Sequence, residues 1–268
     1  STTGNAATAT ALQNARTIGG VSFDGTANIN TVQAANFVPT GIGDKYIEVT
    51  IEGVYGAGEV SFDLDANGIL NIEACEKSTG KKESIISYIN DSKDGKSVYY
   101  HSNSRKKERE ESWKRNLENG LWVWWNEDGK KNQEGNYRSG QQHGTWINYN
   151  EKGRKIEESQ WKNGELFGKT TLWDKNGNKT ILKSFKEDEK DGLWIWWSPN
   201  GKKVKEGNFK LGDKNGKWTY YHANGKKKRL ENYRLGEKNG KLTLWFENGQ
   251  KEREETYKND EKHGKWIY

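Results

Sequence analysis

The chain has 268 residues and a formal net charge of +6, with 31% hydrophobic residues, 31 Gly, 13 Trp, one Cys and no Met. So small an apolar fraction argues against one thick globular core, while 12% aromatic content argues against a chain kept disordered by solvation. No run of about 20 apolar residues exists to span a membrane, and Cys75 alone cannot form an intramolecular disulfide. No charged-then-apolar leader opens the chain, so no signal peptide is expected, and the start at Ser1 suggests a piece of a longer product.

Charge and aromatic content change together along the chain. Residues 1–94 hold 6 basic and 12 acidic residues, leaving 38 basic and 26 acidic residues in 95–268, where all 13 Trp also lie. Residues 1–35 differ again, being rich in Ala, Thr, Asn and Gly. The chain therefore has three zones: 1–35, 36–94 and 95–268.

The first zone contains a small-residue stretch, Ala6–Ala15, suited to close packing against another chain. Thr17-Ile18 and Val21-Ser22-Phe23 read as short strands around Gly19-Gly20, with Asp24-Gly25 as a further turn. So short a segment cannot bury a core alone, so it needs a partner, and identical chains are the simplest source. In the second zone Tyr46–Glu52 alternates as a strand. Val60–Asp65 and Ile69–Ala74 read as a hairpin about Ala66-Asn67-Gly68, and Ser84–Ile89 as a further strand. This zone reads as a small β-rich domain or a cap on the first edge of the third zone.

The third zone is periodic. Gly recurs every 24 residues at Gly120, Gly144, Gly168, Gly192, Gly216, Gly240 and Gly264. A second Gly comes nine residues later in six of these, from Gly129 to Gly249. Aromatics sit five residues after the first Gly (Trp125 through Trp245) and seventeen after it (Tyr137 through Tyr257). A fixed period in this range marks a stacked-repeat architecture. Asn-Gly or Asp-Gly at the second Gly predicts a two-residue type I′ hairpin turn, and the polar stretch back to the next repeat, such as 138–143, a longer turn. Gly this frequent disfavours helix. The expected fold is all-β: an elongated, single-layer antiparallel rod of hairpins, advancing about 9.6 Å per repeat.

By alternation, positions 3 and 5 after each Gly (Val123/Trp125, Ile195/Trp197) form the packing face. Positions 2 and 4 then form a second face, whose Trp122, Trp124, Trp146, Trp194, Trp196, Trp218 and Tyr220 are the candidate exposed rings for stacking on sugars or filling a partner's groove. The competing readings are that both faces are covered, or that a bulge exchanges them.

Catalytic signals are lacking. His143 and His263 share one repeat position and read as turn residues, and no nucleophile elbow, phosphate loop or zinc spacing occurs. Glu157, Glu158, Glu252, Glu254 and Glu255 recur at repeat positions facing Lys and Arg, which favours cross-strand pairing over a glycosidase pair. No enzyme activity, cofactor or metal is expected. The basic surplus suits an anionic partner, with nucleic acid the weaker option for want of a reader motif.

Two resemblances sharpen this. Gly216-Lys217-Trp218, Tyr221, Asn224-Gly225-Lys226, Glu231, Tyr233, Gly236 and Gly240 resemble the bacterial variant of the MORN-type repeat. That resemblance covers residues 95–268 and implies an elongated single-layer sheet used for binding or scaffolding, without shared catalytic machinery. Thr170 and Leu242 depart from the early Trp of the pattern, and Leu182 and Leu230 from its Glu. Near the start, Ala15-Arg16-Thr17-Ile18 and Phe23-Asp24-Gly25-Thr26-Ala27-Asn28-Ile29 resemble an element of trimeric bacteriophage tail-fibre stems, although Asn30–Gln33 replaces its usual Leu-Pro-Gly continuation. Together they imply a virion tail-fibre protein made in the host cytoplasm. Its expected partners are two further copies of itself, other phage tail proteins, and host surface polysaccharide or lipopolysaccharide. The alternatives are a virion spacer without host contact, and a cellular MORN-repeat scaffold or antitoxin-like binding protein.

Overall fold

A computed structural model describes residues 16–18, 21–23, 58–64, 70–76, 79–89 and 92–264. Every regular element among them is a β-strand, and strands joined in sequence pair antiparallel, as the periodicity predicts. Arg16–Ile18 pairs antiparallel with Val21–Phe23, with Ile18 opposite Val21. The Ala6–Ala15 stretch and the Tyr46–Glu52 alternation lie outside the described residues.

The chain divides into two compact units, Ser1–Lys131 with Tyr137–Gly140, and Asn132–Asn136 with Gln141–Tyr268. In the first, Gly58–Leu64, Leu70–Glu76, Lys81–Ile89, Ser92–Tyr100 and Lys107–Lys114 pair in chain order. Ile72, Ile86, Ser97 and Glu111 stand in one directly opposed row and are buried. Buried Ala74, Ser84 and Tyr99 form the next row on the same face. The compositional change near residue 94 falls inside the strand Ser92–Tyr100. In the second unit Gln141–Tyr149, Lys155–Lys162, Gly168–Trp173, Lys179–Lys186, Gly192–Trp197 and their successors to Lys251–Lys258 repeat one hairpin pattern.

The turns at the second Gly of each repeat are not the two-residue type that their dipeptides predict. At Asp128-Gly129 and its equivalents the loop has three residues, whereas Asn163-Gly164 alone among the Asn-Gly and Asp-Gly pairs of the described repeats forms a two-residue turn. Gly129 N–H donates to Asn126 O at 2.8 Å, Asn126 N–H donates to Lys130 O at 2.9 Å, and within the loop Gly129 has the positive φ. This is a turn with its left-handed residue third, the bulged hairpin loop. Asn126 Oδ1 further accepts the Lys130 N–H at 2.9 Å, so the side chain opening the loop ties down its far end. The two-residue type I′ turns lie instead at the other ends of the strands. Ser139-Gly140 (φ 50° and 82°), Leu211-Gly212 and Glu187-Asp188 have positive φ at both positions.

Several of these tight turns place a side chain where the left-handed region is costly. Leu235 has φ 46° and is half exposed, so its side chain contributes little packing. Leu235→Asn is therefore expected to stabilise the protein by about 1 kcal/mol, because Asn tolerates this conformation. A raised thermal midpoint would show it; an unchanged or lowered one would mean that the leucine packs more than its exposure indicates.

The period-24 Gly marks a bulge. Gly207 opposes Trp218 while the next residue, Asn208, opposes Asn215, so Gly216 and Lys217 are two extra residues on their strand. The same offset separates Leu166, opposite Trp161, from Thr171, opposite Glu158. Gly216 has φ 72°, which the bulge requires and a side chain would resist. Because two residues are inserted, side-chain alternation is preserved across each bulge, and the repeats present two chemically distinct faces.

Candidate binding faces

One face is built around the residue two positions after each repeat Gly, a tryptophan at 122, 146, 194 and 218. Trp146 lies opposite Ser159, Trp194 opposite Gly207, and Trp218 between Gly207 and Glu231. Each indole N–H donates to the backbone carbonyl beside the bulge: Trp122 to Ser112, Trp146 to Asn136, Trp194 to Ser184 and Trp218 to Asn208, all at 3.0–3.1 Å. Each ring thus covers a carbonyl beside the bulge and gives it a donor, and Ser112 O and Ser184 O accept the backbone N–H of Asn119 and Asp191 as well. Neighbouring rings pack at tilted or edge angles, with Trp194 5.0 Å from Phe209 and Phe209 5.0 Å from Trp218.

This geometry corrects the expectation that the position-2 rings stand exposed. Trp122, Trp146, Trp194 and Trp218 are buried, at 8, 4, 7 and 1% exposure. Trp124, Trp196 and Tyr220, at position 4 on the same face, are half-buried. Lys205 Nζ lies 4.2 Å from the Trp196 ring centre and the Arg229 guanidinium 4.1 Å from that of Tyr220, so cations already occupy these rings. Position 3 on the opposite face is buried as well at Val123, Ile195 and Thr243. Both faces carry packed rows, and among the described residues the position-2 rings form no open file for stacking.

Buried carboxylates complete the tryptophan face. Glu111, Glu231 and Glu255 lie in the tryptophan row, each preceded two residues earlier by Arg and followed two later by Trp or Tyr. Glu111 accepts from Arg109 Nε at 2.8 Å and Trp113 Nε1 at 2.9 Å. Glu231 accepts from the Tyr233 hydroxyl at 3.0 Å, with Arg229 and Lys238 at 3.6 and 3.7 Å. Glu255 accepts from the Tyr257 hydroxyl at 2.7 Å and faces Lys262 at 3.4 Å. The hydrogen bond from Tyr257 and then the Lys262 ammonium hold the Glu255 carboxyl below the usual range, against the effect of burial.

The opposite face pairs glutamates with lysines. Glu110 sits 2.8 Å from Lys96 and 2.9 Å from Lys107, and Glu254 sits 2.7 Å from Lys241 and 3.0 Å from Lys251. The bond from Lys96 is the main reason that the Glu110 carboxyl is held low. These are the recurring Glu–Lys contacts read from the repeat positions, both across strands and within one. Glu134 and Glu206 accept the hydroxyls of Tyr149 and Tyr221. Burial first, and these carboxylates second, push the Tyr149 and Tyr221 phenols up to about 12 from 10.0.

These phenols create an alkaline weakness. Between pH 10.0 and about 12 the unfolded chain has lost phenol protons that the folded protein retains, so stability falls as pH rises through this window. Phenolate absorbance should show a late-ionising component in the native state, and Tyr149→Phe should shrink it by one phenol's amplitude. Ionisation of Tyr149 near 10 in the folded protein would contradict the assigned bond to Glu134.

The histidines take structural places. His101 Nε2 lies 3.0 Å from Trp125 O and His222 Nε2 2.8 Å from Trp245 O, each tying a loop to the next repeat. His143 lies inside the strand Gln141–Tyr149 rather than in a turn, because the turn is Ser139-Gly140 alone and the strand already begins at Gln141. Among the described residues no three His, Cys, Asp or Glu gather as metal ligands.

Sequence reading missed the lysines of the tryptophan face. Lys190 and Lys214 stand opposite Phe185 and Phe209, and Lys183 next to Trp194 in its row. Their signal lay in the period itself: Lys recurs at 190, 214, 238 and 262.

A family model for the MORN repeat variant matches residues 118–139, 190–211, 214–234 and 238–259. Each matched segment spans one hairpin with its three-residue loop and ends at or before the next tight turn, in the register of the 24-residue period. MORN repeat variants are therefore present in this chain, and they indicate a repeat-based binding or scaffold protein.

Proposed function

We propose that this chain is a non-enzymatic binding scaffold of a bacteriophage tail fibre, whose hairpin repeats engage polysaccharide or lipopolysaccharide on the host surface. The observation that carries the binding role is the repetition of one ordered side-chain lattice, tryptophans flanked by cations, on the same strand face through successive repeats. A lattice with a fixed period suits a ligand that is itself a repeating chain. The tail-fibre assignment rests on the wording of residues 15–18 and 23–29, and with it come assembly as a homotrimer through residues 1–35, contact with other tail proteins, and residence in the virion.

A spacer that never touches the host is the second reading. The internal satisfaction of the tryptophans favours it, since buried rings bonded to their own backbone hold a rod together without any ligand. Two measurements separate these readings. Mass spectrometry of purified virions should find this chain, and its absence would overturn the tail-fibre assignment in favour of a cellular scaffold. Purified full-length chain should compete with phage for adsorption in a dose-dependent way. Presence in virions without competition would leave the spacer.

A further inference from the structure

Along the tryptophan row the charge at one position changes from repeat to repeat. Glu111, Glu231 and Glu255 each neutralise the cations beside them, but the equivalent positions 183 and 207 hold Lys and Gly. The stretch between them therefore has cations on this face without the acid that balances them elsewhere. No carboxylate oxygen among the described residues lies within 4.0 Å of the Lys183, Lys190, Lys205 or Lys214 ammonium. Lys203, on the opposite face of the same strand, is by contrast 2.7 Å from Glu206.

The aromatic rings hold these four ammoniums in place. Lys183 and Lys190 lie 5.8 and 5.6 Å from the Trp194 ring centre, Lys205 4.2 Å from that of Trp196, and Lys214 4.7 Å from those of both Trp218 and Tyr233. Ring quadrupoles orient a cation but do not neutralise it. Burial keeps the Lys214 pKa below the ordinary lysine value, only partly opposed by Glu231. Four like charges on one face, with no carboxylate within 4.0 Å of any of them and only Glu231 acting on Lys214, favour an anion supplied from outside.

We propose that Lys183, Lys190, Lys205 and Lys214 form a binding site for a linear acidic polysaccharide, held by its carboxylates rather than by ring stacking. The proposal rests on the host-polysaccharide reading above and narrows its ligand to anionic chains. Lys190 and Lys214 are one repeat apart, or two strand spacings of about 4.8 Å, so they meet charges spaced along a polymer rather than one compact ion. A single-stranded nucleic acid fits less well, because it needs open ring faces for its bases. Here Trp194 and Trp218 are buried and Lys205 covers Trp196.

The test uses the full chain with polygalacturonate, neutral dextran and oligothymidylate as probes, titrated at several salt concentrations. Polygalacturonate should bind saturably and dextran should not. Lys190→Gln combined with Lys214→Gln should weaken binding about tenfold or more and shrink the salt slope by roughly two units. Lys169→Gln combined with Lys217→Gln, on the opposite face, should leave binding within about twofold, with matching thermal midpoints showing that both variants fold. The site is refuted if polygalacturonate does not bind, if the opposite-face variant loses as much affinity, or if oligothymidylate binds as tightly. If the chain blocks phage adsorption without binding polygalacturonate, the site fails while the host reading stands. Binding without blocking supports the site and removes the host reading.

Discussion

Gly207→Ala is expected to destabilise the protein by about 3 kcal/mol, at the upper end of overpacking costs. A Cβ added at Gly207 would lie 2.2 Å from Cδ2 of Trp218, inside the ring rather than at the end of a flexible chain. The ring has nowhere to go. It is 1% exposed, its N–H is committed to Asn208 O, and Phe209 and Trp196 pack at 5.0 and 5.9 Å. Gly135 stands in the same relation to Trp146, at 2.1 Å, and should respond alike. Gly212→Ala is the control: its φ is 83° and nothing lies within 4 Å of the added carbon, so only the left-handed backbone cost of about 1 kcal/mol applies. Urea denaturation of the three variants measures the difference. Equal losses at Gly207 and Gly212 would show that the tryptophan does not rest on the glycine.

Glu231→Leu should cost about 2 kcal/mol. That is less than the loss on breaking an ion pair sealed from water, because Arg229 and Lys238 keep 40% and 34% side-chain exposure and can be hydrated. The remaining loss comes from the Tyr233 hydroxyl, left without the acceptor that it meets at 3.0 Å. Adding Tyr233→Phe should therefore recover part of the cost. The chain already contains this solution: where Gly207 and Lys183 replace the glutamate, the residues two positions on are Phe209 and Phe185, which have no hydroxyl. A double-mutant cycle checks it, and strictly additive losses would mean that the phenol and carboxylate do not depend on each other.

The hairpin repeat, its 24-residue period and the strands before it were legible because they arise from local patterns. The turn assignments were not. Asn-Gly and Asp-Gly serve both a two-residue turn and a three-residue loop whose Gly comes last, and only the closing pair, Asn126 with Lys130, distinguishes them. Most of the type I′ turns hide behind Leu-Gly, Ser-Gly and Glu-Asp, which carry a weaker signature, and only Asn163-Gly164 shows the strong one. A longer repetition was also present. Gly-Leu-Trp-Val-Trp-Trp at 120–125 returns as Gly-Leu-Trp-Ile-Trp-Trp at 192–197, and the Gly-free turns Arg115-Asn116, Glu187-Asp188 and Asn259-Asp260 share that 72-residue spacing. Gly135 and Gly207 share it too, so each three-repeat block brings its own glycine under a tryptophan.

Sequence alone determined that this chain is a ladder of hairpins, because strand and turn preferences act between near neighbours and a repeating pattern reinforces them. Which rings are buried was decided only by tertiary structure. Alternation separates two faces but does not say which is covered, and in these repeats both carry aromatic and β-branched residues. The bulge brought a backbone carbonyl under the ring, the indole N–H met it, and at Trp146 and Trp218 a glycine on the neighbouring strand left room for the ring. Those three conditions come from different strands, and the same convergence gathered the lysines that no single repeat places together.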